Sequence, residues 1–102
     1  MPTYQEALKL AVDKKYGESM TKFEQLMDEI TKEHSTNTPY HIFVLYKMAT
    51  VNNLAGKVTD NEAVFERINE IAPMAYHDKP SMVFMCHNTL FKYYLHYDVD
   101  KS

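Results

Sequence analysis

Tryptophan is missing from this 102-residue chain, cysteine occurs once and glycine twice. The lone Cys86 excludes a disulfide framework. Two glycines leave little material for hairpin turns, and no segment alternates apolar and polar residues with the period of a half-buried strand. A basic excess is missing too. Residues 1–51 carry 6 Lys against 7 acids, and residues 52–102 carry 5 basic residues against 7 acids. Neither half offers the electrostatic footprint that nucleic acid or anionic lipid requires. No apolar run approaches the roughly 18 residues of a membrane span. The opening Met-Pro-Thr-Tyr-Gln-Glu lacks the basic-then-apolar order of a signal peptide. These absences, with a single thiol, lead to the expectation of a cytoplasmic protein.

What remains is helical. At 45% hydrophobic and 25% charged the chain has the balance of a globular domain rather than a disordered one. Its length suits one domain, spanning residues 1–102. Five segments carry helical spacing. The first covers about 3–16, with Tyr4, Leu8, Ala11 and Val12 on one face beside Ala7. Gly17 is expected to end it, and Ser19 to cap the next helix. The second covers about 18–34, with Met20, Phe23, Met27, Ile30 and His34 stepping by three and four. Thr38 and Pro39 read as N-cap and first helical residue. They open a third segment over about 39–55, with Val44, Leu45, Met48, Val51, Leu54 and Ala55 apolar. Thr59 and Glu62 have the spacing of a capping box for the fourth, which Pro73 should end at Ala72. The fifth, about 81–97, is apolar around most of its circumference.

The expected fold is all-α: five antiparallel helices, arranged as two helical hairpins plus a C-terminal helix. The first, third and fifth segments begin near residues 3, 39 and 81. Tyr16, Ser19 and Phe23 place an aromatic, a small residue and an aromatic where the turn and second helix of a tetratricopeptide repeat have them. In the next hairpin Phe65 and Pro73 hold the second-helix aromatic and terminal proline positions. The chain thus resembles a tetratricopeptide-like array, with a compact helix bundle as the alternative. Ala7 and Ala49 stand at that repeat's glycine position, and Asn61 stands where a small apolar residue belongs. The spacing exceeds the 34 residues of the repeat.

Two further resemblances compete. Tyr46-Lys47-Met48-Ala49-Thr50-Val51 is similar to a stretch in the second helix of acyl-CoA-binding proteins. That resemblance implies a phosphate contact for Lys47, with Phe43 standing in place of a tyrosine. Bacteriocin immunity proteins share the length, the charge scatter and the helix pattern.

No catalytic constellation is present. Cys86 lies among Phe84, Met85 and Leu90, apolar surroundings that suppress the thiolate. Cys86 and His87 are adjacent and point apart on a helix, and no His-x3-His or Cys-x2-Cys spacing occurs. Neither an enzyme, a metal site nor a cofactor is expected. The Tyr-rich run 91–97, together with the methionines, favours an interaction surface. The resemblance to tetratricopeptide repeats implies a groove lined by the first helix of each hairpin. The candidate binding residues are Tyr46, Lys47, Thr50, Asn53, Met85, Asn88, Lys92, Tyr93 and Tyr97. Their expected partner is a protein or peptide, or a second copy of the chain.

Overall fold

A computed structural model of the chain describes residues 2–34, 38–84 and 86. Among them the backbone is helical, with no strand. Four α-helices are α1 (Pro2–Val12), α2 (Tyr16–Glu33), α3 (Pro39–Leu54) and α4 (Asn61–Ala75). A 3-10 turn, Val58–Asp60, leads into α4. Residues 80–84 and 86 are helical as well, and the rest of the expected fifth segment lies outside the described residues.

Each helix packs on its neighbour in sequence: α1 on α2, α2 on α3, α3 on α4. Contacts between α1 and α2 join the start of one to the end of the other. Thr3 Oγ1 lies 3.0 Å from Glu29 Oε1, while Ser19 Oγ donates to Ala7 O at 2.7 Å. Phe23, Leu26, Ile30, Val44, Leu45, Met48, Phe65 and Ile68 form the heart of one core.

Two corrections concern the first turn. The chain breaks at Lys14 rather than at Gly17, which lies inside α2. Lys14 adopts a left-handed φ of 64°. Its N–H bonds Ala11 O at 3.0 Å and the N–H of Lys15 bonds Leu10 O at 2.8 Å. Those two bonds satisfy carbonyls that the end of α1 leaves open, in the pattern of a Schellman turn. Ser19 is therefore no cap. It is buried, with its hydroxyl spent on the carbonyl of Ala7.

The same turn recurs 42 residues later. Gly56 has φ 75° where Lys14 has 64°. Gly56 N–H bonds Asn53 O at 3.1 Å, and Lys57 N–H bonds Asn52 O at 2.8 Å. The register continues on both sides of the turn. Ala7 matches Ala49, Phe23 matches Phe65, and Ser19 matches Asn61, whose Nδ2 donates to Ala49 O at 3.2 Å. The two turns thus share one main-chain geometry, and after each a polar side chain reaches the backbone of the preceding helix.

Other boundaries also depart from expectation. The Thr59–Glu62 capping box does not form. Asp60 precedes α4 in right-handed backbone with no side-chain cap, and the 3-10 turn supplies the entry instead. Pro73 does not end α4, which continues to Ala75. A proline removes one donor and crowds the preceding turn, yet its exposed position lets the backbone accommodate it. Thr38 and Pro39 do open α3 as expected. Val12, Leu54 and His34 are exposed rather than packed. Each lies at the end of its helix, where the buried face has run out. α3 is buried on most sides, at Ile42, Val44, Leu45, Met48, Ala49 and Val51, because α2 and α4 both lie against it.

Candidate functional site

The exposed side of α3 carries the most distinctive chemistry. Pro39, Ile42, Phe43 and Tyr46 follow helical spacing and form one wall of an open groove of 430 Å³. The other wall comes from Tyr76, Met82 and Cys86, after the end of α4. The lining is predominantly apolar, and Phe43 keeps 43% of its surface in solvent. A large aromatic left this open on the lining of an apolar groove makes the groove the candidate site.

Phe43 also belongs to an aromatic chain that runs from surface to core. Its ring centroid lies 5.9 Å from that of Tyr40 and 5.7 Å from that of Tyr4. Tyr4 in turn meets the buried Phe23 edge-on at 6.3 Å. This chain links α1 and α3, the first helices of the two pairs. Lys47 Nζ stands 5.4 Å from the Phe43 centroid, within cation–π range. Burial pushes the Tyr40 hydroxyl above its usual range, and the neighbouring Tyr4 adds to the shift. Tyr76 is raised by burial and by Cys86. The Cys86 thiol is raised by burial and partly held back by a hydrogen bond with Tyr46. The net shift is upward, which disfavours the thiolate.

The residues expected to bind are distributed unevenly. Tyr46 lines the groove, and Lys47 does not, although its Nζ lies over the ring of the lining residue Phe43. Thr50 is exposed, and its hydroxyl donates to Tyr46 O in its own helix at 3.0 Å. Asn53 Oδ1 accepts from Asn61 Nδ2 at 3.0 Å, so it ties α3 to α4. Met85, Asn88, Lys92, Tyr93 and Tyr97 lie outside the described residues. Of the groove's lining, sequence reasoning selected only Tyr46 for binding and missed Pro39, Ile42, Phe43, Tyr76, Met82 and Cys86. Pro39, Ile42, Phe43 and Tyr46 carry a legible signal, since positions separated by three and four share a helix face. Tyr76 and Met82 carry none, because their place depends on how the chain returns after α4.

Among the described residues no group of three or more His, Cys, Asp or Glu is arranged to hold a metal ion. No described helix is long and apolar enough to cross a membrane. No known protein family, curated protein or solved structure matches the chain.

Proposed function

We propose that the chain is a small protein-interaction module that takes a short peptide segment in the α3 groove. One observation carries this reading: Phe43 is 43% exposed at the edge of an apolar groove, with Lys47 over its ring. A fitting segment has one large apolar side chain for the groove and a carboxylate beside it for Lys47. The 42-residue recurrence of the Lys14 and Gly56 turns supports a tetratricopeptide-like stack, in which first helices present the binding face.

Peptide-array selection followed by titration tests the reading. Phe43→Ala and Lys47→Ala are expected to weaken a selected peptide by ten-fold or more each, with the fold retained. Unchanged affinity in both variants overturns the groove assignment. Lys47 over the ring of Phe43, which lines an apolar groove, also favours a second reading, an acyl chain with an anionic head. A rise of several degrees in melting temperature with acyl-CoAs, and none with peptides, selects that reading. Self-association through the same face predicts a mass that depends on concentration in light scattering, and a stable monomer on dilution removes it.

A further inference from the structure

A second cleft, of 290 Å³, lies on another part of the molecule, between α2, the end of α3 and the start of α4. Asn52 is among its lining residues and is only 4% exposed. Hydrogen bonding fixes which way its amide points. Ala49 O can only accept, so Asn61 must offer it Nδ2, at 3.2 Å. Asn61 Oδ1 then faces Asn52 and must accept, so Asn52 offers Nδ2, at 2.9 Å. Asn52 Oδ1 is left over. Among the described residues no donor reaches it, and its main-chain oxygen is already taken by Lys57 N–H at 2.8 Å.

A buried acceptor without a donor costs about 1–3 kcal/mol. The fold itself does not require an amide there, because the equivalent position in the first helix pair is Leu10. The surroundings specify a complement. Met20, Met48 and Val64 supply apolar walls, and Lys57 and Asp60 stand at the lining with opposite charges. Among the described residues neither Lys57 nor Asp60 forms an ion pair, whereas Arg67 is engaged by Glu24 at 2.9 Å. A free acceptor, one cation, one anion and apolar walls match a small zwitterion with an apolar body.

We propose that this cleft binds a free amino acid with an apolar side chain, its ammonium donating to Asn52 Oδ1 and facing Asp60, its carboxylate facing Lys57. The side chain then lies against Met20, Met48 and Val64. This site is separate from the α3 groove and does not depend on that reading.

Amide chemical shifts of the full chain, titrated with L-leucine, L-methionine and L-phenylalanine, test it. Saturable shifts centred on Asn52, Lys57 and Asp60 are expected for at least one of the three. N-acetyl-L-leucine, which lacks the ammonium, and L-leucine methyl ester, which lacks the carboxylate, are expected to bind at least ten-fold more weakly than L-leucine. Asn52→Leu should abolish binding. Because that change also strips Asn61 of a partner, Lys57→Gln on the exposed rim is the second variant, and it should weaken the amino acid several-fold. No saturable shift up to about 10 mM means that water alone satisfies Asn52, and the proposal is overturned. Unchanged affinity in Lys57→Gln overturns it equally, whatever the fate of Asn52→Leu.

Discussion

His41 shows how much one side chain can specify. It is almost fully buried between α3 and α2. Thr38 N–H donates to its Nδ1 at 2.9 Å, so the proton of the neutral ring sits on Nε2. Nε2 then meets Thr31 Oγ1 at 3.2 Å, and that hydroxyl donates onward to Met27 O at 2.9 Å. A second proton has no place, since Nδ1 already faces a donor. Burial lowers the ring's pKa from its ordinary 6.5, and His34 and Arg67 add to the lowering. The unfolded chain therefore binds the proton more readily than the folded one. This group's contribution is complete above about pH 6.5 and is lost as pH falls through the folded value. Urea midpoints measured at about pH 7.5 and about pH 5.5 should drop on acidification, and His41→Asn should flatten that drop. An equal drop in the variant would assign the effect to other groups.

Lys14 carries a different residue-scale cost. A side chain in left-handed backbone is disfavoured by roughly 1–2 kcal/mol, and the matching position 56 avoids it with glycine. Lys14→Gly is expected to raise stability by about 1 kcal/mol and Gly56→Ala to lower it by a similar amount. Denaturant unfolding reads both. The reverse pattern would contradict the turn geometry.

At the scale of elements, α2 was the most readable from sequence. Its stripe of Phe23, Met27 and Ile30 is buried as spacing implied, while the burial of Leu26 and Ser19 was overlooked. α3 was harder to read. Its buried residues cover most of the circumference because two neighbours lie against it, and the exposed remainder includes the apolar Phe43 and Leu54, so hydrophobicity marks no clear face. Asn52 and Asn61 were unreadable for another reason. Single asparagines read as surface or turn residues until the helix that faces them is known. The fourth helix misled at both ends, because local signals such as Thr59–Glu62 and Pro73 yielded to packing of Val64, Phe65, Ile68 and Ala72. Pro73→Ala restores a backbone donor inside α4 and should stabilise the chain, by at most about 3 kcal/mol. Phe23→Ala and Phe65→Ala hold equivalent places in the two pairs and should each cost about 3–5 kcal/mol. A loss confined to one of them, seen in thermal or urea unfolding, would show that the pairs do not share the core equally.

Across the whole molecule, polar links join elements that sequence distance separates. Arg67 reaches Glu24 at 2.9 Å between α4 and α2, and His41 reaches Thr31 between α3 and α2. Both charges of the Arg67–Glu24 pair are substantially exposed, so Arg67→Ala should change stability by less than about 1 kcal/mol. The His41 contact is buried, and its removal should be felt more. Comparison of the two variants in the same unfolding experiment separates surface charge from the buried junction as the bond between the helix pairs. The groove and the cleft lie on opposite sides of this logic: one is formed where α3 meets the chain beyond α4, the other where the two pairs meet.

The twice-used bend also implies a practical modularity. Positions 13–15 and 55–57 follow the same path with the same main-chain bonds, although their side chains differ. Grafting Ala-Gly-Lys in place of Asp-Lys-Lys is therefore an exchange of interchangeable corner pieces, and the chain should accept the transplant without rebuilding either helix it connects.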